Sequence, residues 1–181
     1  MKKILYLLLV TLSLYADTGI YIGTSVGMSN ENFDELDAQS SSNIALLTIG
    51  YGDIQSYAIE LSFEYTINDS NIFSTNGNDG DKQGFNIALI KSFPIRNYAY
   101  PYIRAGFGSG TMKIQRTTQS KLSYGSYNLG LGLYVPIYKH INLDFAYLYK
   151  DTSYERINLI ASQKNYTSKI NTFSFGIEYR F

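Results

Sequence analysis

The chain has 181 residues, a formal net charge of zero, no cysteine and one histidine. One domain fits that length. The charge balance gives no global pull toward nucleic acid, and the cysteine count excludes disulfides and thiolate metal sites. Eighteen tyrosines and ten phenylalanines beside three prolines favour strands, and a mean hydropathy of −0.13 excludes a bundle of membrane helices but not a membrane barrel, which shows lipid only every second residue.

In chain order, Met1 to Ala16 reads as a secretory signal peptide. Lys2 and Lys3 form a positive start, Ile4 to Leu14 an apolar stretch, and Ala16 a small residue before a cut at Asp17. The apolar stretch is shorter than the ~20 residues of a spanning helix. The mature domain is therefore residues 17–181, exported from the cytoplasm.

Eight strand candidates follow. Gly19–Met28 places Ile20, Ile22, Val26 and Met28 on one face, with Gly19, Gly23, Ser25 and Gly27 on the other. Asn43–Tyr51 is apolar on both faces over Ile44 to Ile49, and Ala45, Leu47, Ile49 and Tyr51 are assigned outward. Tyr57–Ile67 alternates cleanly, with Glu60, Ser62 and Glu64 opposite Ile59, Leu61 and Phe63. Gly84–Phe93 carries Phe85, Ile87, Leu89 and Phe93 on one face, joined by Lys91 near the strand end, where its stem can reach the headgroups. Ala99–Gly110 sets Ile103, Ala105 and Phe107 against Tyr102, Arg104, Gly106 and Gly108. Tyr124–Val135 sets Tyr127, Leu129, Leu131 and Leu133 against Ser126, Asn128, Gly130 and Gly132. Ile141–Lys150 sets Leu143, Phe145 and Tyr147 against Asn142, Asp144 and Ala146. The last strand, Asn171–Phe181, places Phe173, Phe175, Ile177, Tyr179 and Phe181 on one face. A period of two is a strand period, because successive side chains point to opposite faces.

The connections alternate in length. Gly52–Ser56, Pro94–Asn97 and Pro136–His140 are short, whereas Asn30–Ser42, Asn68–Gln83, Thr111–Ser123 and Asp151–Ser168 are long and polar. This alternation predicts an all-β fold, an eight-stranded antiparallel transmembrane β-barrel with short periplasmic turns and four longer extracellular loops. A soluble lipocalin-like carrier is the competing closed barrel, with the reverse polarity. Bulky Ile, Leu, Phe and Tyr on nearly every strand would overfill the narrow inside of an eight-stranded barrel, whereas glycines and small polar groups fit it. Tyr57, Tyr65, Tyr127, Tyr147, Tyr149 and Tyr179 sit near strand ends, as an interfacial girdle requires.

Arg104 tests the assignment. Facing lipid near midplane it would cost ~2–4 kcal/mol, whereas facing inward it can meet Glu60, Glu64 and Asp144, which share its parity. Buried charges must be paired, so an interior network of Arg104 with Glu60, Glu64 and Asp144 is expected, with Lys150 and Arg180 toward opposite ends. Such a network either neutralises and plugs the lumen or, if the pairs exchange, gates a small pore.

The hairpin Gly50 to Tyr65 (GYGDIQSYAIELSFEY), the strand Pro101 to Gly110 (PYIRAGFGSG) and the terminal Tyr179-Arg180-Phe181, with the signal peptide and the eight alternating strands, resemble the small outer-membrane barrel superfamily of OmpA-like and OmpX-like proteins. The resemblance covers essentially the whole mature chain. It implies a monomer of the outer membrane in contact with its lipid and lipopolysaccharide, and a role in envelope structure, adhesion to a host or cell-surface ligand, or conduction. It also implies that Tyr179 and Phe181 form an assembly signal read by the barrel-assembly machinery. In contrast to full-length OmpA, no peptidoglycan-binding domain is expected after the last strand.

No cofactor or metal is expected. Some small outer-membrane barrels modify lipid A near the outer leaflet, but His140 falls in a periplasmic turn, so no Ser–His–acid set forms at the outer rim and the chain reads as non-enzymatic. Asn76 to Asp81 is acidic and glycine-rich but lacks the spacing of a calcium loop. The outer connections differ in charge: Glu31, Asp34, Glu35 and Asp37 in the first, Asp69, Asp79 and Asp81 in the second, and Lys113, Arg116 and Lys121 in the third. In the fourth, Ile157, Leu159 and Ile160 continue an alternation that would leave sheet edges open to a partner strand.

Overall fold

The computed structural model describes residues 18–181 except 35, 37, 69, 75, 76, 97, 117, 118, 160, 161 and 165. The expected signal peptide lies outside the described residues. The strands are β1 (Gly19–Phe33), β2 (Ala38–Gly52), β3 (Tyr57–Ile67), β4 (Lys82–Ser92), β5 (Tyr100–Lys113), β6 (Lys121–Tyr138), β7 (Ile141–Tyr154), the short pair β8 (Ile157–Leu159) and β9 (Ser162–Lys164), and β10 (Thr167–Arg180). The long strands close into one antiparallel barrel in the order β1-β10-β7-β6-β5-β4-β3-β2. β10 closes it on β1, with Ile22 opposite Tyr179 and Met28 opposite Phe173. β8 and β9 form a separate two-stranded sheet among the described residues.

The parity expected for each strand is the parity observed. Ala45, Leu47, Ile49 and Tyr51 of β2 face out, while Ile44 and Leu46 are buried. Outward Val26, Met28, Phe85, Leu89, Phe107, Leu131 and Phe173 are each more than half exposed, so the apolar belt runs right round the barrel. A soluble barrel would hide this surface, and a membrane barrel turns it to hydrocarbon. Two rows of aromatics bound the belt. On the extracellular side Tyr127 donates to Asp151 at 2.8 Å, Tyr147 to Asn171 at 2.6 Å, and Tyr65 to Asp81. Each phenol thus keeps its ring in the apolar zone and its hydroxyl satisfied at the wet boundary. On the periplasmic side the Lys91 ammonium lies 3.9 Å from the Tyr57 ring centroid, the cation–π form of the expected snorkelling.

The strand ends differ from expectation. β1 continues to Phe33 and β2 starts at Ala38, so most of the first long loop is strand. β5, β6, β7 and β10 extend past their expected upper ends in the same way, and β6 runs through Pro136 to Tyr138 with a bulge between them. The reason is an inversion of polarity above the lipid. There Phe33, Met112, Leu122 and Tyr154 point inward and are buried, while Asn32, Gln39, Lys113 and Lys121 point outward and are exposed. A pattern sought as apolar-outside ends at the membrane boundary, although the strands do not.

Inside, large groups stand opposite glycines. Tyr21 is paired with Gly50, Tyr102 with Gly132, Arg104 with Gly130 and Tyr124 with Gly110. A Cβ on Gly50 would fall 2.0 Å from Tyr21 Cζ, and one on Gly132 would fall 2.3 Å from Tyr102 Cζ. The rings therefore lie flat on bare backbone. Replacing Gly132 by Val should displace Tyr102 and cost about 1–3 kcal/mol, the usual range for overpacking, in urea unfolding of the barrel in lipid vesicles. Gly125 points outward with nothing within 4 Å of an added Cβ, and Gly125→Val should leave the midpoint unchanged or raise it.

Candidate functional site

The lumen is filled at three levels. Toward the periplasmic end Glu60 on β3 is the hub. Its carboxylate accepts Tyr21 Oη at 2.7 Å and Tyr134 Oη at 3.1 Å, and Arg104 Nη2 lies 3.3 Å away. Tyr134 stacks on Tyr102 with centroids 4.4 Å apart, and Tyr102 donates to Asp144 at 2.8 Å. Glu178 is buried beside this group, and Arg180 reaches back to the Gly52 carbonyl at 2.7 Å. Tyr21, Ile54, Ala58, Ile90, Tyr100, Tyr102 and Tyr134 pack as one apolar cluster around these charges.

At mid-height Glu64 pairs with Lys150 and accepts Asn86 Nδ2 at 3.1 Å, and Asn128 donates to Asn86. Above, Glu31 pairs with Lys82 and accepts Tyr154 Oη at 2.5 Å and Ser168 Oγ at 2.6 Å. Between these two ion pairs lies a cavity of about 20 Å³, room for about one water. The top is closed by Phe33, Phe73, Met112, Ile114, Leu122, Tyr154 and Tyr166, with Phe73 edge-on to Phe33 and Tyr166 at centroid distances of 5.3 and 5.4 Å. The segment carrying Phe73 is tied by Asp79, whose carboxylate accepts the backbone N–H groups of Ile72, Phe73 and Ser74.

The expected network is thus regrouped. Arg104 and Glu60 are in contact. Asp144 joins through Tyr102 and Tyr134 rather than by pairing with Arg104. Glu64 is not in the Arg104 group but pairs with Lys150. The two glutamates are four positions apart on β3, roughly 13 Å of strand, and one guanidinium cannot serve both. Two residues first read as loop charges belong inside: Glu31 is a lumenal partner and Asp79 a buried clamp. Asp79 spends its oxygens on backbone donors, and Asn76 lies outside the described residues, as do Glu35, Asp37, Asp69 and Ile160. No group of three or more His, Asp or Glu placed to hold a metal occurs among the described residues. His140 sits in the periplasmic turn, 2.9 Å from the Arg180 carbonyl.

Of the lumenal tyrosines only Tyr102 is placed inward by the sequence pattern, and none is given a role in the charge network. Their signal was present as parity: Tyr21 shares a face with Gly19 and Gly23, and Tyr134 with Gly130 and Gly132.

An apolar belt outside, paired charges inside and closure without an edge define a transmembrane β-barrel of the outer-membrane type. The chain belongs to the outer membrane protein beta-barrel domain family, whose profile matches residues 4–181. A search of curated proteins finds no match. Among solved structures it is similar to Neisserial surface protein A (14% identity, 92% of this chain and 100% of that one, TM-score 0.67). It is also similar to Ail, the attachment invasion locus protein of Yersinia pestis (21% identity, 90% and 99%, TM-score 0.56), and to OprG from Pseudomonas aeruginosa (18% identity, 90% and 96%, TM-score 0.56). The protein is located in the cell outer membrane.

Removing one member of a buried pair leaves a bare charge, at about 3–5 kcal/mol. Arg104→Met and Glu60→Gln should each destabilise the barrel in that range, and the double variant by clearly less than their sum. Arg104→Met with Glu64→Gln should be additive, since the two belong to different groups. Equilibrium unfolding of all variants in one lipid composition checks both statements.

Proposed function

We propose that this chain is a non-enzymatic, plugged barrel whose role is surface interaction, with its rigid extracellular rim as the contact element. The observation that carries this reading is the aromatic cluster above the lipid. Phe33, Phe73, Tyr154 and Tyr166 cap the lumen and hold the strand tips as one body. A preorganised rim loses little conformational entropy on binding. On it, Lys113 and Lys121 stand directly opposite each other across β5 and β6, both exposed. Like charges so placed repel, and an anionic ligand relieves the repulsion. Asp81, next to Lys113 on the other side, accepts the Tyr65 hydroxyl. The similarity to Ail supports this reading, since Ail is named the attachment invasion locus protein and has been solved in complex with the heparin analogue sucrose octasulfate.

The ion pairs at three levels serve as a plug, which neutralises the lumen rather than gating it. The protein works as a monomer, is exported by residues 1–16, and is inserted by the assembly machinery through Tyr179 and Phe181. Phe181 is exposed and edge-on to Tyr179 at 5.1 Å, so it adds little to packing and is free to serve as a signal.

Cells displaying Lys113→Ala/Lys121→Ala should lose about tenfold in retention on immobilised heparin at unchanged surface level, and retention by the parent should fall with salt. Equal retention overturns the rim assignment. In planar bilayers neither the parent nor Arg104→Ala should show discrete conductance, and steps in the parent would replace the plug with a small pore. A chain ending at Arg180 should reach the outer membrane at a small fraction of the parent level. Normal levels would remove the signal role of Phe181.

A further inference from the structure

On the outward face of β1 and β2 the belt is continuous but locally indented. Most rows of the belt carry large side chains on neighbouring strands, but the row Val26–Ala45–Tyr65 has a methyl group at its centre, and the row above, Met28–Asn43–Ile67, has an amide. The result is a groove of about 410 Å³ walled by Val26 and Met28 on one side and by Tyr65 and Ile67 on the other. Tyr65 is held off Ala45 by its hydroxyl's bond to Asp81. The groove lies at outer-leaflet height, since the Tyr65–Asp81 pair marks that boundary. The Asn43 amide faces out at its upper end with no hydrogen-bond partner among the described residues. An amide at this boundary is open to a polar group of a bound lipid in place of water.

Directly above the groove the outward residues change to neutral hydrogen-bonding groups. Asn30 stands opposite Ser41, and Asn32 opposite Gln39. Ser41 donates to Asn30 Oδ1 at 2.5 Å, which leaves the Asn30 amino group free to donate outward. The bordering cation, Lys169, is already paired with Asp34 at 2.8 Å. From Asn43 to Gln39 is about 13 Å of strand, or about 10 Å of height at a tilt near 40°. A phospholipid headgroup layer is only about 5–7 Å deep on each side. The ladder therefore outreaches such a headgroup and offers amides and hydroxyls rather than a cation.

We propose that this face is a binding site for one lipopolysaccharide-type glycolipid of the outer leaflet. An acyl chain fills the groove over Ala45, its ester or amide linkage meets Asn43, and sugar hydroxyls meet Asn30, Asn32 and Gln39. The site lies outside the lumen, on a different wall from the Lys113–Lys121 pair, and does not depend on the adhesive reading.

The test is native mass spectrometry of the full mature chain, refolded in detergent and titrated with rough-type lipopolysaccharide or with phosphatidylethanolamine. The parent should retain one lipopolysaccharide and bind phosphatidylethanolamine at least tenfold more weakly. Ala45→Phe should lower lipopolysaccharide retention at least tenfold. Ala105→Phe, a matched outward alanine on β5 across the barrel, should not. Heat-modifiable gel migration verifies that each variant is folded. If Ala45→Phe does not fold, Asn30→Ala/Asn43→Ala decides, because both side chains point outward and neither belongs to a buried cluster; it too should lower retention. Unchanged retention in the folded groove or ladder variant overturns the proposal. So does equal retention of both lipids by the parent, which would make the groove an ordinary bilayer contact.

Discussion

In hydrocarbon no water is at hand to bond a bare N–H or C=O, so a sheet can cross a membrane only if it has no edge. Every other feature of this chain follows from that demand. β10 must meet β1, and it does so in a register that sets Phe173 beside Met28 and Tyr179 beside Ile22. Closure with eight strands then makes the inside narrow. A narrow inside forces small residues wherever something large must enter, and forces any charge that enters to bring its own partner.

The lumen answers both demands with cross-strand pairs. Tyr21, Tyr102, Tyr124 and Arg104 each face a glycine on the adjacent strand, so ring or guanidinium and bare backbone together occupy the space of two ordinary side chains. The same pairs bring phenols to carboxylates. Glu60 is satisfied by two tyrosines and an arginine, and Glu31 by a tyrosine, a serine and a lysine. Volume and charge are solved by the same residues, and between the Glu64–Lys150 and Glu31–Lys82 pairs a cavity of about 20 Å³ is left.

The strand parity was legible because lipid and lumen impose opposite chemistry on alternate residues. Even β2, apolar on both faces over Ile44 to Ile49, could be assigned once neighbouring strands set the convention. That Arg104 and Glu60 both face the lumen was legible from parity, and they are in contact. What parity could not show was which of several inward acids lies at which level, since register is set by closure and not by any one strand. That is how Glu64 was joined to Arg104 instead of Lys150. The rim was misread for a different reason. Above the lipid the solvent outside is water, so the same alternation changes sense, and Phe33, Met112 and Leu122 looked like loop residues when they were the start of a second core.

That second core gives the molecule two kinds of cohesion. Within the membrane, lipid is as apolar as the belt, and the hydrophobic effect contributes little to holding strand against strand. At the rim, Phe33, Phe73, Met112 and Leu122 are withdrawn from water, and their cohesion carries the heat-capacity signature of apolar burial. It weakens on cooling, as such burial does, while the backbone ladder below it has no such temperature term. The cap of this barrel is therefore governed by the thermodynamics of a small soluble protein, and its wall by those of a bilayer.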